Sequence, residues 1–182
     1  MAERNELRLS GTGGQGLILA GIIMADAAIR DGKNSIQSQS YGPEARGGAS
    51  RSEVIIGDED IDYPKVNKPD VLLVMSQEAC DKFAADLEQG GVMIVDSTNV
   101  HTLPAVNGAI IYKIPISSTA KEEIGREMVA NVVALGAIAR ITGVVSRESL
   151  TEALLARIPK GTEDLNRKAL EAGWVLAEGV LH

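Results

Sequence analysis

The fold class is decided by residues 7–28, LRLSGTGGQGLILAGIIMADAA. Leu7 and Leu9 open a short strand, a glycine cluster follows, and a mostly apolar segment with small residues on its packing face predicts a helix. Asp31 and Gly32 are expected to end that helix. A strand that leads through a glycine turn into a helix is typical of the opening unit of an α/β fold.

Further strand patterns follow along the chain. Ser35–Ser38 is a weak one, and Ser50–Gly57 alternates as a half-buried strand does. Val71–Met75 and Gly91–Asp96 are continuous apolar runs, which are typical of strands buried on both faces of a parallel sheet. Ala109–Ile114 gives the last strand. This order predicts an α/β fold with a Rossmann-like, doubly wound and mostly parallel sheet.

The C-terminal part is predicted to be helical and to cover one face and one edge of the sheet. Thr119 and Glu122 have the spacing of a capping box, which would open a helix that Gly143 stops. Two more helices are expected, with N-terminal caps at Ser146 and Thr162.

Composition limits what the protein can be. The chain has 182 residues, of which 45% are hydrophobic, enough for the core of a single domain spanning residues 1–182. Its formal net charge of −7 and the lack of any basic stretch argue against nucleic-acid binding. The single cysteine, Cys80, cannot form an internal disulfide, and an iron–sulfur cluster needs several thiolates.

No segment resembles a membrane or export signal. The N-terminus up to Leu9 carries charges and no apolar stretch. The longest apolar segment, Met128–Ile141, contains Asn131 and Arg140 and is shorter than the roughly 20 residues that span a bilayer. We therefore expect a cytoplasmic protein that binds no membrane.

The first candidate ligand site is the G-x-G-x-x-G motif between the first strand and the first helix. Its residues are Gly11, Gly13, Gly14, Gln15 and Gly16. Glycines let a phosphate approach the backbone, and a helix N-terminus favours an anion. A dinucleotide site also needs a carboxylate after the second strand, where this chain has glutamines and serines. The alternative, which this lack favours, is that the glycines serve only a tight turn and close packing.

The second candidate is the loop YGPEARGG at residues 41–48, flanked by Gln37 and Gln39. Its candidate residues for a ligand or an interface are Tyr41, Glu44, Arg46, Gly47 and Gly48. A guanidinium can bind a carboxylate or phosphate through two hydrogen bonds. The alternative is a local pair of Glu44 and Arg46 on a solvated turn, and spacing alone does not decide between them.

Three other polar residues have structural interpretations. Asp96 ends a buried strand, where a carboxylate often binds a ligand or caps the next loop, and the capping role is favoured. Ser76 is expected to cap the helix that follows the strand Val71–Met75. Cys80 follows Ser76 by one helical turn, where a helix dipole would lower the pKa of its thiol, but a buried apolar role is favoured. Asn131 interrupts an apolar helix face and predicts a hydrogen bond between helices or across a subunit interface. We find no catalytic constellation and no metal-ligand spacing.

Taken together, these motifs resemble the gamma subunits of 2-oxoacid:ferredoxin oxidoreductases. The resemblance covers Glu6 to at least Thr142, and its YGPEARGG form is most similar to the 2-oxoglutarate type. It is carried by GTGGQG, LILAGIIMADAA, SQSYGPEARGGASRSEVIIGDEDIDYPKV, PDVLLVMSQEA and MVANVVALGAI.

The resemblance implies a division of labour in a complex. Thiamine diphosphate attacks the 2-oxoacid, iron–sulfur clusters carry electrons to ferredoxin, and coenzyme A takes the acyl group. Other subunits, thiamine-binding and ferredoxin-like, would hold these cofactors, so this chain would hold none and be inactive alone, with a homodimer expected in isolation. The residues alone leave a second hypothesis open, a free-standing Rossmann-type nucleotide-binding oxidoreductase or regulator.

Overall fold

The computed structural model of the chain describes residues 3–40 and 48–181. Its strands are β1 (Arg4–Thr12), β2 (Asn34–Ser40), β3 (Ala49–Gly57), β4 (Val71–Val74), β5 (Val92–Asp96) and β6 (Ile110–Ile114). They form one sheet in the order β2-β3-β1-β4-β5-β6. The predicted α/β, Rossmann-like fold is confirmed.

Helices cover both faces of this sheet. They are α1 (Leu17–Arg30), α2 (Gln77–Phe83), α3 (Ile116–Thr119), α4 (Ala130–Thr142), α5 (Arg147–Leu155) and α6 (Glu163–Val180). Short 3-10 turns at Ala84–Asp86 and Glu127–Val129 and a π-helical turn at Ala120–Ile124 complete the set in the described residues. None of the described helices is both long enough and apolar enough to span a membrane.

The sheet is mostly parallel, as predicted, but one strand interrupts the parallel order. β1, β4, β5 and β6 pair in parallel, whereas β3 lies between β1 and β2 and is antiparallel to both. β2 therefore runs in the same direction as β1. We call the end of the sheet at which β1, β2, β4, β5 and β6 finish the carboxyl end.

The two faces of the sheet have separate cores. Along β4, Val71 and Leu73 pack under α1, α4, α5 and α6, while Leu72 and Val74 pack under α2. Successive side chains of a strand point to opposite faces, so a strand covered on both faces must be apolar throughout. This explains the continuous apolar run that the sequence shows there.

The predicted capping box is wrong. Thr119 lies within α3 and makes no capping bond with its side chain, and the helix ends at Gly125, where φ is +88°. The backbone is then extended at Arg126, and α4 begins at Ala130. Gly125 takes the left-handed conformation that stops helices, so the predicted single helix is two, joined by an irregular segment.

The other predicted caps have mixed outcomes. The hydroxyls of Ser76 and Ser146 accept hydrogen bonds from the N–H groups of Ala79 and Ser149, each at 3.1 Å, so both caps are confirmed. Thr162 does begin α6, but its hydroxyl donates to the Pro159 carbonyl at 2.6 Å instead of capping the helix.

Candidate functional site

The candidate site lies at the carboxyl end of the sheet. The glycine loop follows β1 there, and the chain leaves β4 at Met75, β5 at Asp96 and β6 at Ile114. Ligands of open α/β sheets bind in the crevice outside the carboxyl ends of the strands. The contacts among these loops decide which side chains remain available to a ligand or partner.

Gln15 connects two of these loops. Its Oε1 accepts a hydrogen bond from the Thr12 N–H at 2.7 Å, and its Nε2 donates to the Met75 carbonyl at 3.0 Å. A Cβ atom on Gly11 would overlap Gln15 Oε1. Gln15 and Gly11 therefore have a structural role, and the Thr12 N–H is already satisfied within the protein.

Asn131 holds the end of the glycine loop. Its Nδ2 donates to the Gly16 carbonyl at 3.1 Å, and its Oδ1 accepts from the Val132 N–H at 2.9 Å. Gly16 has φ of +70°, and a Cβ there would lie 2.7 Å from Asn131 Nδ2. The predicted hydrogen bond between helices is confirmed, and it joins α4 to the start of α1.

The outer side of the glycine loop is open. Gly13 and Gly14 are exposed, and a Cβ on Gly14 would meet no atom within 4 Å. Gly14 and Gln15 line a depression of about 280 Å³ with Ser117 and Met128, whose side chain is 77% exposed. A ligand or interface role for the loop therefore stays a prediction that concerns this outer surface.

Asp96 organises the loops after β5 and β6. Oδ2 of its fully buried carboxylate accepts from Ser117 Oγ at 2.5 Å and Asn99 Nδ2 at 3.1 Å. Oδ1 accepts from the N–H groups of Ser117 and Thr98, each at 3.2 Å. The expected capping role is confirmed. Sequence reasoning missed Ser117 and Asn99, for which the only signal was their polarity beside apolar runs.

Cys80 is buried, as predicted. Burial, and to a smaller extent the charge of Asp81, raise the pKa of its thiol above the ordinary value. The alternative of a thiol activated by a helix dipole is therefore wrong, because activation requires a lowered pKa.

The second candidate loop lies almost entirely outside the described residues. This holds for Tyr41, Glu44, Arg46 and Gly47, whereas Gly48 is described and partly buried. The flanking residues are well placed, since Ala49 pairs with Thr12 in the sheet. The two residues that flank the loop, Ser40 and Ala49, therefore lie at the carboxyl end of the sheet, and Ala49 lies beside the glycine loop.

The strand order differs from that of a dinucleotide-binding fold at the position where such a fold has its ribose-binding carboxylate. In a dinucleotide fold the second strand lies next to the first, but here β3 separates β2 from β1. On β2, Gln37 Nε2 donates to Ser52 Oγ at 3.1 Å and to Gln39 Oε1 at 2.8 Å. These glutamines are tied to β3 and to each other.

Metal ligands are not grouped in the part of the chain that the structure describes. No set of three or more His, Cys, Asp or Glu side chains there is arranged to hold a metal ion. The sequence contains one cysteine, which is too few for an iron–sulfur cluster.

Comparison with known proteins places the chain. Residues 6–175 match the family described as pyruvate ferredoxin/flavodoxin oxidoreductase. The chain belongs to this family. It is 53% identical to the 2-oxoglutarate synthase subunit KorC of Methanocaldococcus jannaschii, over 96% of this chain and 95% of that one. A crystal structure of the keto/oxoacid ferredoxin oxidoreductase gamma subunit from Geobacter sulfurreducens is 54% identical and has a TM-score of 0.88, covering 97% and 99% of the two chains.

More distant relatives carry other substrate names. The ketoisovalerate oxidoreductase subunit VorA of Methanothermobacter thermautotrophicus is 36% identical to this chain. That match covers 92% of this chain and 35% of VorA. Identity is 34% with the pyruvate synthase subunit PorC of Methanothermobacter marburgensis, over 90% of this chain and 92% of that one. The chain is thus a gamma-type subunit of a multi-subunit 2-oxoacid:ferredoxin oxidoreductase, as the sequence motifs indicated.

Proposed function

We propose that this chain is the gamma subunit of a complex that oxidises 2-oxoglutarate. The observation that carries the proposal is the 53% identity with a 2-oxoglutarate synthase subunit over nearly the full length of both chains. Identity with the ketoisovalerate and pyruvate relatives is 36% and 34%. The acid would lose carbon dioxide and two electrons, its succinyl group would pass to the thiol of coenzyme A, and the electrons would pass to ferredoxin.

The cofactors of that reaction belong, in this proposal, to other subunits. Thiamine diphosphate supplies the carbanion chemistry and iron–sulfur clusters supply electron transfer. The single cysteine of this chain cannot ligate a cluster by itself. We place the complex in the cytoplasm and the thiamine-binding and ferredoxin-like subunits in contact with this chain.

The carboxyl end is the surface that we assign to this contact. Three observations support it: Gly14 is open to solvent, Met128 is 77% exposed beside it, and the loop containing Arg46 begins and ends there. A methionine can adapt its flexible side chain to a partner surface. Arg46 would then face an anionic group at the subunit boundary.

Substrate assignment is tested on the complex purified with this chain. We expect the highest kcat/KM for 2-oxoglutarate when it is compared with pyruvate and 2-oxoisovalerate under identical conditions, with coenzyme A and ferredoxin supplied. A preference for either other acid would reject the substrate and leave the subunit role intact. Oxidation of any 2-oxoacid by the isolated chain would reject the subunit role itself.

Arg46 is tested by two substitutions in the same complex. Arg46→Lys keeps the charge but loses the planar fork, so activity should fall about tenfold, equivalent to about 1.4 kcal/mol. The isolated variant should melt at the temperature of the wild type, and Arg46→Ala should lose more activity. Full activity and unchanged KM values in both variants would leave Arg46 as a surface charge on a turn.

The free-standing nucleotide-binding alternative has its own test. Gln15 occupies the Thr12 N–H, and β3 separates the first two strands of the motif. We therefore expect titration calorimetry with NAD and NADH to show no tight binding. A dissociation constant in the low micromolar range, about −8 kcal/mol, would support the alternative.

A further inference from the structure

The exposed face of α6 has a groove on each side. The apolar groove has a volume of about 460 Å³ and lies between α6 and the π-helical turn at Ala120–Ile124. Its apolar lining residues are Ile124, Ala172, Val175 and Leu176. The basic groove has a volume of about 430 Å³ and lies between α5 and α6. Lys168 and Glu171 line both grooves, so the two form one continuous surface, which we call the α6 surface.

The apolar groove exposes side chains that are continuous with the main core. Val175 is 54% exposed, while Ile124 and Leu176 are half-buried and pack against the core on their inner sides. Apolar side chains scattered singly over a surface are ordinary. Several of them in one concave groove are typical of a site that binds another protein.

The basic groove is positively charged on an acidic chain. Arg147, Arg167 and Lys168 line it, and the one carboxylate among its lining residues, Glu171, is paired with Arg147. In the part of the chain that the structure describes, Arg167 and Lys168 form no salt bridge, not even with Asp164 on the same helix. Two cations therefore remain available, although the whole chain has a net charge of −7.

Arg147 is held in place at the wall of the basic groove. Its guanidinium carbon lies 4.8 Å from the centre of the Trp174 ring, and the same group is paired with Glu171. A guanidinium has five N–H donors, so the pair with one carboxylate leaves donors for another. Because the side chain is already ordered, less conformational entropy is lost when an anionic group binds there.

The relatives favour a different protein over a second copy of this chain as the occupant. The region of VorA that this chain matches is about a third of that polypeptide, since the match covers 35% of VorA. A domain of this type is therefore joined there to a larger amount of other protein. An exposed apolar groove on the separate chain fits the same partnership between two chains.

We propose that the α6 surface binds an acidic amphipathic segment of another subunit of the complex. Apolar side chains of that segment would fill the apolar groove, and its Asp or Glu side chains would bind Arg167 and Lys168. Carboxylate–arginine pairs would fix the orientation of the segment. The proposal rests on the proposed function for the existence of the complex, and it adds a second contact to the one at the carboxyl end.

The first test is an equilibrium titration of the purified chain with the remaining subunits of its complex, which are expressed without it. Val175→Asp places a carboxylate in the apolar groove and should weaken binding by about tenfold or more. Ile110→Asp is the matched control, because Ile110 is 50% exposed on β6 at the edge of the sheet, and it should bind as the wild type does. Normal binding of Val175→Asp would overturn the proposal.

The same titration tests the acidic character of the occupant. Arg167→Glu should weaken binding by about tenfold or more, because it repels the carboxylates of the segment. Lys65→Glu makes the same change of charge in the exposed loop between β3 and β4 and should bind normally. Normal binding of Arg167→Glu would overturn the acidic occupant and leave the proposed function intact. If the wild type bound none of the subunits, the proposed function would fail together with this inference.

The second test identifies the occupant directly. A photoactivatable p-benzoylphenylalanine replaces Val175 in the assembled complex, and mass spectrometry identifies the peptide to which it cross-links. We expect one segment of another subunit that combines apolar residues with several Asp or Glu residues. A cross-link to a basic segment or to a second copy of this chain, or no cross-link at all, would overturn the proposal.

Discussion

Glycine has opposite uses in two regions of this molecule. At the carboxyl end, glycines leave room for polar side chains, as Gly11 does for Gln15 and Gly16 for Asn131. Where α6 crosses α4, glycines bring two backbones together. A Cβ on Gly173 would overlap the Val133 carbonyl oxygen, and one on Gly136 would overlap that of Leu170.

The two arrangements differ in how well they tolerate substitution. A loop held by side-chain hydrogen bonds loses stability one bond at a time, at about 1 kcal/mol each. A helix crossing held by backbone contact has no flexible side chain that can move aside, so a single methyl group forces the helices apart. We infer that the helix crossing is the fixed base of the fold and that the carboxyl end is its adaptable surface.

The largest effect is expected at the helix crossing. Gly173→Ala should lower the free energy of unfolding by about 3 kcal/mol or more, because overpacking against backbone cannot relax locally. Gly179→Ala on the same helix has no atom within 4 Å of the new methyl group and should be neutral or stabilising by about 0.5 kcal/mol. Urea denaturation of both variants measures the difference. Equal stability would show that the crossing can adapt.

The next effect concerns Asp96, whose carboxylate is fully buried at the carboxyl end. In Asp96→Asn one carboxylate oxygen is replaced by an amide NH₂ group, which cannot accept hydrogen bonds from the surrounding donors. We therefore expect the free energy of unfolding to fall by about 2 kcal/mol. Asp81→Asn is the control, because Asp81 is exposed and accepts a hydrogen bond from Gln77. If Asp96→Asn cost no more than this control, the carboxyl-end network would be as dispensable as a surface contact.

The sequence predicted the elements better than their partners. Continuous apolar runs identified β4 and β5 because both faces of a buried strand must be apolar. The insertion of β3 between β1 and β2 depends on pairing between distant residues, such as Thr12 with Ala49, which local patterns do not encode. The break at Gly125 was missed because the apolar pattern continues on both sides of it.

Site residues followed the same rule. Gln15 was predicted as a ligand candidate from its motif, but the structure joins its side chain to Met75, 60 residues away. Asp96 was correctly expected to cap a loop, while its partner Ser117, 21 residues away, could not be identified from the sequence. Local chemistry can be predicted from sequence, whereas the partner of a polar group depends on the tertiary fold.

A smaller effect is expected from the bridge between the loops after β1 and β4. Gln15→Ala removes the hydrogen bonds to the Thr12 N–H and the Met75 carbonyl. Because water reaches these two bonds, the loss of stability should be only about 1 kcal/mol. The control Gln89→Ala removes an exposed glutamine side chain and should change stability by less than about 0.5 kcal/mol. Denaturation curves of the two variants that coincide would mean that water replaces both bonds without loss.

The smallest effect concerns a polar link at the other end of α1, where Asp31 accepts hydrogen bonds from the Ser146 N–H at 2.7 Å and Oγ at 2.6 Å. Burial raises the pKa of Asp31, but hydrogen bonds from Ser146 and Ser149 and the charge of Lys33 outweigh it, so the net pKa is lowered. A carboxyl group with a lowered folded pKa stabilises the protein above its unfolded pKa, about 3.9, and loses this contribution as the pH falls through the folded value.

Asp31→Asn should therefore cost about 0.5–1 kcal/mol at pH 7, since the site is partly exposed, and the difference from wild type should shrink below about pH 4. Asp60→Asn, in the exposed loop after β3, serves as the control. If the stability cost of Asp31→Asn stayed constant between pH 7 and pH 3, the link would depend on the shape of the side chain and not on its charge. In that respect it would resemble the helix crossing and not the polar loops.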